Sequence, residues 1–123
     1  MELDGFSPEV RRLWALTEPC MLCPRQCLAK RSRGELGFCG IGYSPVISSV
    51  GPHFGEESVL VGSGGSGTIF FAGCNLGCVF CQNFDISHKR MGRSATVEQL
   101  AEAMLELQSI GCSNINLVTP THL

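Results

Sequence analysis

The sequence is short of charge. Only 16% of its 123 residues are Asp, Glu, Lys or Arg, and the formal net charge is −2. Neither sign dominates, so the chain lacks the electrostatic footprint of a general nucleic-acid or membrane-surface binder. It also lacks an unbroken apolar run of about 18 residues, the least that a membrane-spanning helix needs. Residues 1–14 hold acidic side chains and a proline where a secretory leader would carry a basic start and an apolar core. These absences leave the expectation of a soluble, cytoplasmic protein, long enough for one modest domain. A further absence concerns residues 62–67, GSGGSG. The stretch has neither the lysine nor the spacing of a phosphate-binding P-loop. Its composition is that of a linker, and it suits a chain that must pass close to its cysteine-bearing neighbourhood.

Cysteine and glycine, by contrast, are abundant, at 8 and 15 residues. An even cysteine count would suit a disulfide framework in a secreted chain. With no leader and with tight spacings, metal ligation in a reducing compartment is the better reading. Cys74, Cys78 and Cys81 follow the pattern Cys-x3-Cys-x2-Cys within GTIFFAGCNLGCVFCQN. Three thiolates this close can hold three corners of a cubane iron–sulfur cluster. No further cysteine falls within the loop, so one iron would keep an open position able to bind a substrate. A zinc knuckle that borrows a distant ligand fits the same spacing. Upstream, Cys20, Cys23, Cys27 and Cys39 are spaced x2, x3 and x11. Four thiolates complete a tetrahedral set, suited to structural zinc or to a second iron–sulfur cluster. Arg25, Lys30, Arg31 and Arg33 surround them, either to offset thiolate charge or as a solvated loop. Cys112 is spare and reads as a buried thiol.

Periodicity and punctuation place these residues on an α/β framework. Ser7-Pro8-Glu9 is a helix start, with apolar Val10, Leu13, Trp14 and Leu16 behind it and Glu18-Pro19 as its end. Residues 46–50 and Ser58–Val61 read as two short strands of a hairpin around the turn-like 51–55, with His53 a solvated turn residue. Residues 68–72 are too uniformly apolar to alternate, as in a parallel strand buried on both faces. That strand runs into Gly73 and Cys74, and the carboxyl ends of such strands are where α/β folds build sites. Residues 84–94 read as an irregular connection, basic at Lys89, Arg90 and Arg93. Thr96 and Gln99 form a capping box for a helix over 96–109. Its apolar stripe is Val97, Leu100, Ala101, Met104 and Leu105, with Leu107 at the edge. Gly111 stops it, and Asn114–Val118 is the next strand. Strand, helix and strand make one βαβ unit. A single unit neither closes a barrel nor finishes an open sheet, so the expectation is a fragment, a truncated reading frame or one piece of an assembly.

The cysteine triplet, with Phe80 immediately before its last member, resembles the signature of the radical S-adenosylmethionine superfamily. Asn75 and Gln82-Asn83 make it similar to the branch related to pyruvate formate-lyase activating enzyme. The upstream cysteines, with Pro24-Arg25, Gly34 and Gly37, resemble an amino-terminal extension of that branch. The resemblance implies the first part of a partial (β/α)6, TIM-like barrel over residues 63–123, preceded by a cysteine-rich extension over residues 1–62. It implies that Cys74, Cys78 and Cys81 ligate a [4Fe-4S] cluster whose open iron binds S-adenosylmethionine. Reductive cleavage would then yield a 5′-deoxyadenosyl radical. A low-potential flavodoxin- or ferredoxin-type donor and a glycyl-radical enzyme are the implied partners. Asn75 and Phe80 would lie near the cofactor. Where many members carry a Gly-Gly-Glu-like segment, this chain reads Thr119-Pro120-Thr121-His122. Thr119 and Thr121 are therefore the expected cofactor contacts, and no carboxylate is present there.

Overall fold

The computed structural model describes residues 3–123. Helix α1 is Pro8–Ala15, and Ser7 caps it by accepting a hydrogen bond from the Val10 N–H. The helix buries none of its residues. It is tied down instead by Trp14, whose indole Nε1 donates to the Tyr43 hydroxyl at 2.9 Å. Strand β1, Val46–His53, is longer than its sequence suggested and runs through the supposed turn. Ser58–Val61 is not a strand but a single helical turn, α2, so the expected hairpin does not form. The physical reason lies in β1's pairing. β1 is already hydrogen-bonded on one side to β2, Ser66–Phe71, and on the other to the short β3, Arg93–Ser94. β2 thus takes the edge of β1 from Ile47 to His53 that a hairpin partner would have used, and residues 58–61 form a turn of helix between the two strands. The 84–94 connection is also more ordered than expected, since it holds α3, Phe84–Ser87, besides β3.

Helix α4, Val97–Ser109, starts with the complete capping box of Thr96 and Gln99. Strand β4, Asn114–Val118, then pairs parallel to β2, from Ser66 opposite Asn114 to Phe70 opposite Val118. The result is a mixed α/β arrangement with a four-stranded sheet in the order β3-β1-β2-β4. Only the β2–β4 pair is parallel. The βαβ unit β2–α4–β4 is present as the periodicity indicated. Among the described residues no helix is long and apolar enough to cross a membrane.

The core lies between β2 and α4. Ile69, Phe71 and Leu107 are its buried centre, with Ile47, Leu100, Met104, Cys112 and Leu123 packed around it. Leu107, assigned by sequence to the edge of the stripe, is the buried residue of α4, whereas Leu105 is 64% exposed and Ala101 is also exposed. The helix is rotated so that Leu100, Met104 and Leu107 face the sheet, a stripe at three- to four-residue spacing. Cys112 is half-buried against this core, close to its reading as a buried thiol.

The glycines of the GSGGSG stretch serve a close approach, though not to the cysteine loop. A Cβ at Gly67 would stand 2.7 Å from the Asn114 carbonyl oxygen and 3.2 Å from Leu107 Cβ. The stretch passes beneath the α4–β4 junction, at the opposite end of β2 from Cys74. Ser66 and Gly67 themselves belong to the strand and are buried.

Candidate metal centre

Four segments converge where β2 ends. The Ala72 N–H donates to the Val46 carbonyl at 2.8 Å, and the Gly73 N–H donates to the carbonyl of Ile86 in α3 at 3.0 Å. Because β4 runs parallel to β2 and ends level with it, Thr119 leaves the sheet at the same edge. Gly73 has φ +77°, and a Cβ there would meet Ile41 Cγ1 at 2.5 Å and the Cys39 carbonyl at 2.8 Å. Only glycine fits this turn, and Cys74 follows it directly.

Cys74, Cys78 and Cys81 are all half-buried along the loop that follows. The Leu76 N–H donates to Cys74 Sγ at 3.4 Å. The Ser87 hydroxyl donates to Cys81 Sγ at 3.2 Å. Ser87 Oγ also lies 2.8 Å from His88 Nδ1, so a serine that gives its proton to sulfur requires His88 Nδ1–H as donor to the hydroxyl. His88 is held in plane by stacking on Phe84, with centroids 4.3 Å apart. Val79 and Phe80 stand at the tip, 93% and 86% exposed. Asn75 is half-buried, Thr119 is half-buried with φ +60°, and Thr121 is exposed.

The upstream group is built from turns rather than strands. Cys20 pairs with the chain across from it: its N–H donates to Ala29 and its carbonyl accepts from Leu28, both at 3.0 Å. The Gln26 N–H closes a turn on the Cys23 carbonyl, and Gly40 closes another on Gly37, again at 3.0 Å. Cys20 and Cys39 are buried, Cys23 is half-buried and Cys27 is exposed. Cys27 Sγ lies against Gly37, where any side chain would collide with it.

Three arginines tie the upstream cysteine segment to the rest of the chain, and one of them, Arg25, reaches the cysteine loop itself. Arg25 donates through Nε to the Asn75 carbonyl and through Nη2 to the Leu76 carbonyl at 3.0 Å. Its guanidinium lies 3.4 Å from the centroid of the Phe38 ring. Arg90 reaches back from after α3 to the carbonyls of Cys39, at 2.9 Å, and Phe38, at 3.2 Å. Arg31 is buried, with Nη2 donating to the His122 carbonyl at 2.8 Å and lying 3.9 Å from Cys39 Sγ. Of the basic residues flanking the upstream cysteines, Arg31 thus sits beside a thiol, while Lys30 and Arg33 are exposed.

Sequence reasoning passed over His122, Arg90 and Phe38. His122 is fully buried, and its Nε2 donates to the Ala72 carbonyl at 2.9 Å, while its Nδ1 has no partner among the described residues. Burial lowers its pKa below the ordinary imidazole value, the bond to Ala72 opposes this, and the Arg31 charge reinforces it. His122 is therefore neutral at pH 7. A histidine next to a threonine carries no sequence signal for burial.

All eight cysteines are free thiols. Among the described residues no three Cys, His, Asp or Glu side chains stand together as a ready metal-binding group. The donor chemistry at the end of β2 nevertheless fits an iron–sulfur cluster. Three soft, half-buried thiols share one short loop, and two of them already receive hydrogen bonds of the kind that support metal-bound thiolates. An open depression of about 580 Å³ lies across β1 and β3, lined by Ile47, Arg93 and Gln99, and contains none of the cysteines.

Residues 68–123, from β2 through the cysteine loop to the end of β4, match the Radical SAM superfamily. An uncharacterized protein of Methanocaldococcus jannaschii is 52% identical over 68 residues, which cover 55% of this chain and 19% of that protein. A second uncharacterized protein of the same organism is 29% identical over 117 residues, covering 76% of this chain and 33% of that protein. The chain thus spans about a fifth and a third of the lengths of these curated relatives. No solved structure matches it.

Proposed function

We propose that this chain carries the cluster-binding part of a radical S-adenosylmethionine enzyme. The observation that carries the reading is the position of the cysteine triplet. It sits at the carboxyl end of β2, beside the end of the parallel strand β4, inside the segment that matches the superfamily. In this reading Cys74, Cys78 and Cys81 hold a [4Fe-4S] cluster. When bound, that cluster supplies the electron for reductive cleavage of S-adenosylmethionine. The chain's own residues supply geometry and polarity. The Leu76 N–H and the Ser87 hydroxyl steady the sulfurs of Cys74 and Cys81. Asn75 and Phe80 on the loop, with Thr119 and Thr121 just beyond the end of the neighbouring strand, are the proposed contacts to S-adenosylmethionine. Cys20, Cys23, Cys27 and Cys39 form a second site, for zinc or another cluster, that stabilises the extension over residues 1–62.

The βαβ unit is then the first of a partial (β/α)6 barrel. A low-potential flavodoxin- or ferredoxin-type protein is the proposed electron donor, a role supported by the exposure of Val79 and Phe80 beside the cysteines. A glycyl-radical enzyme of the activating branch, or another hydrogen-donating substrate, is the proposed target. The reducing cytoplasm is the compartment in which such thiols stay available.

Anaerobic reconstitution of the full chain with iron and sulfide tests the reading. The expected product is brown, with a low-temperature EPR signal on reduction that changes when S-adenosylmethionine is added. A colourless protein that retains only zinc would instead make the chain a zinc-stabilised binding module.

A further inference from the structure

The loop between Cys74 and Cys78 is gripped from outside by one side chain. Arg25 belongs to the upstream cysteine segment, yet it donates to the carbonyls of Asn75 and Leu76. The first of these carbonyls is half of a peptide unit whose other half is the Leu76 N–H. In a trans peptide the C=O and the N–H point in opposite directions. Holding the Asn75 oxygen toward Arg25 therefore turns the Leu76 N–H away from it, and that N–H donates to Cys74 Sγ at 3.4 Å. A cation on the oxygen also polarises the peptide and strengthens the donor at its far end.

Arg25 is itself held in place. Its guanidinium lies 3.4 Å from the Phe38 ring centroid. Phe38 is fixed through its carbonyl by Arg90. The far edge of the ring fills the space that a Cβ on Gly77 would need, with Phe38 Cζ at 2.7 Å. The guanidinium thus has a shelf on one side and two carbonyls of the cysteine loop on the other. A lysine cannot reproduce this, because its point charge satisfies one carbonyl and stacks poorly.

We propose that Arg25 is a positioning residue for the Cys74 thiolate. Through the Asn75–Leu76 peptide it aims an N–H at Cys74 Sγ, which tunes the reduction potential of the metal group held there and slows the loss of its iron. This rests on the reading above that Cys74, Cys78 and Cys81 hold an iron–sulfur cluster. A donor pointed at sulfur, backed by a positive charge, favours the more negative, reduced state. Removing it shifts the midpoint potential in the negative direction.

The experiment compares the reconstituted full chain with Arg25→Gln, Arg25→Lys and Phe38→Leu. Two quantities are read: the midpoint potential of the reducible cluster by EPR-monitored titration, and the rate of iron loss to a chelator. Arg25→Gln is expected to shift the potential negative and to speed iron loss about 10-fold, the lower end of the range for residues supporting metal ligands. Arg25→Lys should fall between it and the parent. Phe38→Leu, which keeps the charge and most of the apolar volume but loses the aromatic face, should shift the potential less and in the same direction. A cluster in Arg25→Gln with unchanged potential and unchanged iron loss overturns the inference and leaves the cluster reading intact. Faster iron loss at an unchanged potential also overturns it, because Arg25 would then be only a tether between segments. A parent chain that takes up no iron and sulfide overturns the cluster reading and this inference together.

Discussion

The two cysteine groups bind the chain in opposite ways. Cys74, Cys78 and Cys81 hang from the end of a buried strand that is hydrogen-bonded on both sides. Cys20, Cys23, Cys27 and Cys39 have no such base. Between α1 and β1 the chain offers one 3-10 turn, at Arg31–Arg33, and otherwise tight turns. A small segment without a strand or helix to bury depends on cross-links of some other kind. The difference separates a site built on a scaffold from a site that is its own scaffold. The arginine contacts then make the second kind of site part of the wall of the first.

That contrast can be broken experimentally, and the largest effect is expected at the scaffolded site. On the proposed reading, Cys78→Ala should remove one cluster's worth of iron and sulfide from the reconstituted chain. Metal at the upstream group should stay, as read by metal analysis of the anaerobically reconstituted chain. Loss of metal from both groups would mean that they are one centre.

Gly73→Ala strikes the seam between the groups. It forces an alanine to φ +77° and drives its methyl into Ile41 and the Cys39 carbonyl. The expected destabilisation is roughly 2–4 kcal/mol, from left-handed strain and overpacking together. Denaturant unfolding measures it, and a change within about 0.5 kcal/mol, the usual span for surface substitutions, would show that the seam is loose.

Cys27→Ser sharpens the comparison from the other side. Cys27 is exposed and far in sequence from the loop cysteines, so a direct effect on them is not expected. If the upstream group sets the position of Arg25, the variant should lose its upstream metal and also release loop iron to a chelator several-fold faster. Loop iron held as firmly as in the parent would uncouple the two sites.

The smallest effect is a pH dependence at the shared wall. His122 is buried and neutral, with its folded pKa below the unfolded value of about 6.5. The unfolded chain therefore binds the extra proton first. The contribution of His122 is complete above about pH 6.5 and is lost as pH falls toward the folded pKa. Unfolding midpoints measured from pH 8 down to pH 5 should decline in the lower half of that range. His122→Gln, which keeps an N–H for the Ala72 carbonyl, should flatten that part of the decline. An equal slope in parent and variant would assign the decline to other groups.

Much of the framework was legible from residues close together in the chain. The capping box of Thr96 and Gln99 spans a few positions, and the apolar run of β2 followed by Gly73 and Cys74 is continuous. The parallel pairing of β2 with β4 followed from the helix between them. What was not legible depends on distant partners. Residues 58–61 look like a strand by composition, but β2, further along the chain, takes the long edge of β1 that they would have joined. The identity of the buried leucine in α4 turned on the angle at which the helix meets the sheet. Arg25 and Arg90 each bond to carbonyls about fifty positions away. An arginine's sequence neighbours do not reveal which carbonyl it will find.

Thr119 adds a consequence of its own. It is a β-branched residue with φ +60°, immediately after the end of β4. Such a conformation stores on the order of 1–3 kcal/mol, retained because the surroundings overdetermine it. Three residues on, His122 is held inward by its bond to the Ala72 carbonyl and by Arg31 on its own carbonyl. A glycine at position 119 would ease the backbone and leave both of those anchors in place, so the discomfort of this turn is borne by the bonds of His122 and is not their source.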